Sequence, residues 1–276
     1  MNTSPQTVQA STVQASTVQA SGGSAGNSPT VLNVTICDIV AVLAAGLRDF
    51  RAAPLYGLAV ASIYTGGGWM LVLLLLHFEL PYLVYPLAAG FAFIAPFIAT
   101  AFYAVSRNLE RKEALSWRRI GGSIRIAAGR DLGWMALVTG FALFIWMDIA
   151  ALLFFLFMGL KSVGITELLR EIFTTPMGLL FLLVGNGVGA VIAFAVFSFS
   201  VTSFPMLFDR DVDFVTAMIA SVKVVVANPA AMMVWCATIA ALIALSLLSG
   251  LIGLLVVLPV LGHASWHLYR RAISAA

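Results

Sequence analysis

Charge is what this chain has least of. Asp, Glu, Lys and Arg make up only 10% of its 276 residues, whereas 61% are hydrophobic. A single soluble core cannot enclose that much apolar surface, and the mean hydropathy of +1.02 assigns the chain to the bilayer. Cysteine is equally scarce. Cys37 and Cys236 stand in unrelated contexts without partner spacing, which excludes a disulfide framework and a thiolate metal site and leaves two small hydrophobes. Walker A loops, nucleophile elbows, His-Glu-x-x-His segments and paired catalytic carboxylates are all missing. A non-catalytic membrane protein without cofactor, metal or nucleic-acid partner is therefore expected.

The first thirty residues lack even apolar character. Residues 7–21 read TVQAS three times, and Gly22, Gly23, Ser24, Ala25 and Gly26 follow; nothing there can bury a face. Residues 1–30 are expected to be a disordered low-complexity tail, and 31–276 a polytopic helical membrane domain. A basic n-region and an apolar h-region are both absent from the tail. The first membrane span is then expected to act as the targeting signal.

Apolar runs long enough to cross about 30 Å of hydrocarbon occupy residues 56–76, 82–105, 134–158 and 177–202. Residues 224–269 contain no Asp, Glu, Lys or Arg, and as one straight helix would reach about 69 Å. A break near Ser249 and Gly250 divides them into spans at about 230–248 and 251–267. Charge supports six spans over five. With six, Arg48, Arg51, Arg107, Arg111, Lys112, Arg118, Arg119, Arg125, Arg130, Arg210, Lys223, Arg270 and Arg271 share one face, and only Lys161 and Arg170 lie on the other. That is the positive-inside pattern, with both termini cytoplasmic.

A ten-residue block recurs ahead of three of these runs: AGLRDFRAAP at 45–54, GSIRIAAGRD at 122–131 and ASVKVVVANP at 220–229. The copies share two small residues, an aliphatic one and a basic one (Arg48, Arg125, Lys223), with Pro54, Asp131 or Pro229 six positions later. Such spacing points to a triple pseudo-repeat, with units at about 36–105, 113–204 and 211–271. Each block reads as an amphipathic helix that introduces a hairpin of two spans. Its apolar stripe would run through Ile39, Leu43, Leu47 and Phe50; through Trp117, Ile120, Ile124 and Ala127; and through Phe214, Met218, Val222 and Val225. Helices of this kind lie in the interface with their cations toward anionic lipid headgroups. The fold class expected is all-α: six transmembrane helices as three hairpins, each preceded by an interfacial helix.

Several segments resemble a known family. AGLRDF at 45–50, Pro54 with Tyr56 and Gly57, FPMLFDRDVD at 204–213, Asn228 with Pro229, and GHASWHLYR at 262–270 are similar to a bacterial family of uncharacterised six-span integral membrane proteins. Some of its members carry the label cytochrome c oxidase subunit I. The resemblance implies a multi-pass protein of the bacterial inner membrane and brings no established activity. A haem-copper oxidase subunit I needs six histidine ligands, and this chain has three histidines. His77 falls at the exported end of the first span, and His263 and His267 toward the cytoplasmic end of the last. The chain is not itself an oxidase catalyst; an accessory or assembly role in a larger, respiratory complex is compatible with the label.

Three constellations compete for a functional role. His263 and His267 stand four apart on one helix face, a spacing seen in metal and haem sites, although no third ligand is at hand and an interfacial girdle with Trp266 and Tyr269 is the simpler reading. Asp209, Asp211 and Asp213 alternate as a calcium loop begins, but Phe214 and Ala220 stand where that loop requires Gly and an acid; Asp213 suits a helix N-cap. Asp148 lies inside the third apolar run, where an ionisable group is expensive and a partner must be named. Asn186, at comparable depth within GNGVG at 185–189, is that candidate. Either the pair glues one hairpin, or it handles protons or solute in a small transporter. The leading expectation is a scaffold or accessory subunit, with the transporter as the alternative.

Overall fold

The computed structural model describes residues 30–77, 84–129, 131–159 and 165–274. The expected low-complexity tail up to residue 29, Arg130 and Lys161 lie outside the described residues. Within them the regular structure is helical apart from one isolated bridge between Val31 and Ile273. Eleven helices follow in order: α1 Ile36–Ala52, α2 Pro54–His77, α3 Val84–Glu110, α4 Trp117–Ala128, α5 Leu132–Met158, α6 Ile165–Thr174, α7 Pro176–Ser200, α8 Ser203–Asp209, α9 Phe214–Ala227, α10 Pro229–Leu248 and α11 Leu254–Ala272. Among the described residues, four stretches are long and apolar enough to cross a membrane: 54–74, 132–158, 176–209 and 229–248. Helices α3 and α11, also counted as spans from sequence, end in the charged residues Arg107, Glu110, Arg270 and Arg271.

Local chemistry sets the helix boundaries. Thr35 and Asp38 form a reciprocal capping box at the start of α1. Pro54 and Pro229 each open a long apolar helix one residue beyond the preceding short one, because proline supplies no helical N–H yet suits the first turn. Asp213 caps α9, accepting from the Thr216 amide at 2.8 Å. The charge-free stretch breaks where expected. Ser249 ends α10, and Gly250 and Leu251 turn the chain at φ of +64° and +68°, a region glycine enters without a Cβ clash.

The core sits at one end, where α1, α3, α8, α9 and α11 converge on Phe102, Met206, Leu207, Trp235, Trp266 and Tyr269, each at most 2% exposed. Gly46 allows α1 to lie directly on α11. A Cβ there would stand 2.5 Å from the Val260 carbonyl oxygen and 2.7 Å from the Ala264 nitrogen. By contrast α5 and α7, although they touch each other and also α6, α8 and α9, leave Leu137, Phe141, Phe144, Leu156, Leu183 and Val191 more than 60% exposed. The N-terminal segment is strapped across the C-terminus, with the Leu32 amide donating to Ala272 and the Ser274 amide to Thr30. Asn228 ties the same strap to the α9–α10 corner, accepting from the Val34 amide at 2.7 Å.

The three blocks fall in α1, α4 and α9, and in each the basic residue (Arg48, Arg125, Lys223) is exposed. The expected stripes need two corrections. In α4 Trp117 is exposed, its ring set against Tyr56 of α2 with centroids 4.5 Å apart. In α9 Val222 is exposed, and the buried face runs through Ala217, Ala220, Ser221 and Val224. The cause is close packing by small residues: Ser221 Oγ donates to the Ser198 carbonyl at 2.8 Å and accepts from the Thr202 amide at 3.2 Å. Ala45 and Gly46 are buried at the same block positions in α1, whereas Gly122 in α4 meets open space. The short helix α6 between α5 and α7 was not foreseen.

Candidate functional site

The polar residues that come together are not the expected pair. Asp148 on α5 and Asn186 on α7 are both exposed, and Asn186 Nδ2 donates to the Leu182 carbonyl of its own helix at 2.7 Å. Among the described residues no hydrogen bond joins the two. Helices α5 and α7 are apolar all round, and nothing in their pattern turns either polar group inward. Of the neighbouring glycines only Gly189 approaches α5, where a Cβ would stand 3.0 Å from the Trp146 ring; Gly185 and Gly187 meet nothing.

A polar cluster forms instead between α1, α3 and α11. Asp49 Oδ2 accepts from Ser106 Oγ at 2.7 Å and from His267 Nε2 at 2.8 Å, while Ser106 Oγ lies 2.8 Å from His263 Nδ1. The proton positions follow from chemistry. A carboxylate only accepts, so Ser106 spends its single proton on Asp49 and must accept from His263. The order is therefore His263 Nδ1–H to Ser106 Oγ–H to Asp49, with His267 Nε2–H reaching the same oxygen. His263 and Ser106 are fully buried, whereas the Asp49 and His267 side chains keep 17% and 27% exposure. Burial raises the Asp49 pKa, and the hydrogen bonds from His267 and Ser106 more than reverse it. The carboxyl is held below the ordinary carboxylate range.

The i, i+4 histidines thus do share a face, and their partners are a carboxylate and a serine. Among the described residues no group of three or more His, Cys, Asp or Glu has the arrangement of a metal site. The alternating acids diverge in the same way. Asp213 caps α9, whereas Asp209 Oδ2 accepts from Tyr269 Oη at 3.0 Å and stands 3.6 Å from Arg270. Asp49 and Ser106 were missed from sequence. The signal for Asp49 was there: it stands three residues after Gly46 and seven after Val42, on the face that α1 buries.

One helical turn further along, a second network closes the polar end. Trp266 Nε1 donates to Glu110 at 3.1 Å, Arg270 bridges Glu110 and Asp209 at 3.1 and 3.6 Å, and Arg210 Nε donates to Tyr269 Oη at 2.8 Å. Phe208 meets Trp266 edge-on, with ring centroids 6.2 Å apart. The segments 204–213 and 262–270, which carry the most specific part of the resemblance, therefore pack against each other.

No curated protein and no solved structure matches the chain. Residues 84–209, from α3 through α8, match a family model described as "Predicted integral membrane protein (DUF2189)". With its apolar helices, that similarity makes the chain an integral membrane protein, similar over this stretch to an uncharacterised integral membrane family.

Proposed function

We propose that the protein is a non-catalytic scaffold or accessory subunit of a larger membrane complex, and that it offers the α5–α7 hairpin to another membrane-spanning chain. One observation carries this reading: Asp148 and Asn186, deep within apolar helices, both face outward. A carboxyl turned toward lipid is costly, and a partner helix with a hydrogen-bonding side chain lowers that cost. Outward placement equally removes support from a transport path between the two residues. The bacterial inner membrane, six spans as three repeated hairpins, and cytoplasmic termini complete the proposal. The division of basic residues supports it, as does the contact of Thr30 with Ser274, because an even number of crossings returns both ends to one side. The exposed Arg48, Arg125 and Lys223 suit contact with anionic headgroups.

Photo-crosslinking in native membranes tests this reading. Benzoylphenylalanine in place of Phe144 or Leu183, which flank Asp148 and Asn186 on the exposed side, should capture one discrete membrane protein. The same probe at the equally exposed Ile63 of α2 should not. Lipid adducts alone at all three positions would overturn the scaffold reading.

A further inference from the structure

The cleft at the polar end of the core has more positive charge than its acids neutralise. It measures about 270 Å³ and is lined by Arg107, Glu110, Arg111, Asp209, Trp266 and Arg270. Both acids are already engaged. Glu110 accepts from Trp266 and Arg270, and Asp209 accepts from Tyr269 and faces Arg270. Among the described residues, neither Arg107 nor Arg111 forms an ion pair with these acids. The Arg107 guanidinium lies 4.4 Å above the centre of the Phe208 ring, and its Nε is buried without a hydrogen-bond partner. Arg111 follows one turn later at the exposed mouth. Burial, and then the neighbouring charge of Arg111, pull the Arg107 pKa down, with only partial opposition from Asp209 and Glu113. Cations at the C-terminal end of α3 do suit its dipole. An exposed side chain would serve that purpose, however, and would not leave a guanidinium Nε buried without a hydrogen-bond partner.

We infer that this cleft binds a phosphate-bearing anion through Arg107, Arg111 and Arg270. Guanidinium forks match phosphate oxygens, and charge-assisted hydrogen bonds of this type are the strong ones. The volume falls below the roughly 300 to 1,000 Å³ of drug-sized ligand sites, which suits a phosphate or a lipid headgroup and excludes a nucleotide. Arg107 stands two residues beyond the apolar run 82–105, at headgroup depth. Phosphate from the membrane and phosphate from solution can therefore both reach it.

The test uses the full-length protein in phosphatidylcholine nanodiscs, with two probes. Inorganic phosphate is titrated by calorimetry, and phosphatidylglycerol added as a minority lipid is counted by native mass spectrometry. Arg111→Gln, at an exposed position, should weaken the binding on the order of tenfold, or about 1.4 kcal/mol. Arg118→Gln, an exposed cation outside the cleft, should leave it unchanged. Retention of phosphatidylglycerol without phosphate binding would identify a headgroup site, and saturable phosphate binding a soluble-anion site. Failure of both probes, or equal losses in the two variants, would overturn the inference.

Discussion

Replacing Asp49 by Ala removes the acceptor on which three helices meet. Asp49 takes two hydrogen bonds, from Ser106 at 2.7 Å and His267 at 2.8 Å, and bonds to charged groups contribute about 1.5–3 kcal/mol each. The gross loss is thus about 3–6 kcal/mol. Water can reach a carboxylate that is 17% exposed and a histidine that is 27% exposed, so about 2–4 kcal/mol is expected after screening. Asp49→Asn keeps one carbonyl acceptor and should cost about half as much. In a double-mutant cycle with His267→Ala, the coupling energy should be about 1–2 kcal/mol, read from reversible SDS-titrated unfolding in mixed micelles. The pH dependence has a definite sign. Because the folded state lowers the Asp49 pKa, its contribution is complete above the unfolded value of about 3.9 and fades as pH falls through the lower folded value. The gap between wild type and Asp49→Asn should therefore narrow below about pH 4. A coupling energy under about 0.5 kcal/mol, or a gap that does not narrow in acid, would refute the network.

Gly46→Ala gains helix propensity, yet its Cβ would stand 2.5 Å from a backbone oxygen of α11 that cannot rotate away; a net loss of about 1–3 kcal/mol is expected. Gly121→Ala, which meets open space in α4, should be neutral or stabilise by about 0.5–1 kcal/mol, and thermal unfolding of the two variants in detergent checks both. Reporter fusions after Arg271 and near Arg111 should both register as cytoplasmic and one near Glu167 as exported; an exported C-terminus would contradict the six-span proposal. Asp148→Leu should change the stability of the purified protein by less than about 0.5 kcal/mol, because no intramolecular partner is lost, while abolishing the crosslink from position 144 in native membranes.

Features set by adjacent residues were legible in the sequence, and those set by helix rotation were not. The capping role of Asp213, the openings at Pro54 and Pro229 and the turn at Ser249 and Gly250 depend on backbone chemistry within a few residues. Depth in the membrane is a matter of counting, which put Asp148 and Asn186 at one level. Their directions are not, because successive residues turn by about 100° and a helix that is apolar all round has no stripe to orient it. In α9 the stripe was read from the largest apolar residues, whereas Ala220 and Ser221 make the contact because small side chains admit a neighbouring backbone. The histidine pair was visible as a pair. Its partners were harder to see, since Ser106 is one hydroxyl among many in an apolar context, and only the position of Asp49 on the face of Gly46 marked it.

Polar groups in this chain are divided between two regions with opposite accounts of their presence. At the core end, Asp49 bonds to Ser106 and Ser106 to His263, Glu110 to Trp266 and Asp209 to Tyr269, across α1, α3, α8 and α11, so these bonds hold helices in one register. Asp148 has no hydrogen-bond partner among the described residues. A carboxyl at the centre of a membrane helix costs about 2.5–3.5 kcal/mol on insertion scales, a cost that the long apolar run of α5 absorbs without compromising insertion. Stability alone gives no reason for it, since leucine in its place would cost the isolated protein no intramolecular contact. A contact made after insertion does give one: a helix that donates to Asp148 replaces lipid with a hydrogen bond and reduces the cost only in the assembled state. The core end would then keep the fold in one arrangement while the α5–α7 hairpin stays free to be covered. Restoring the captured partner with Asp148→Asn, but not with Asp148→Leu, would distinguish recognition by hydrogen bonding from simple apolar contact.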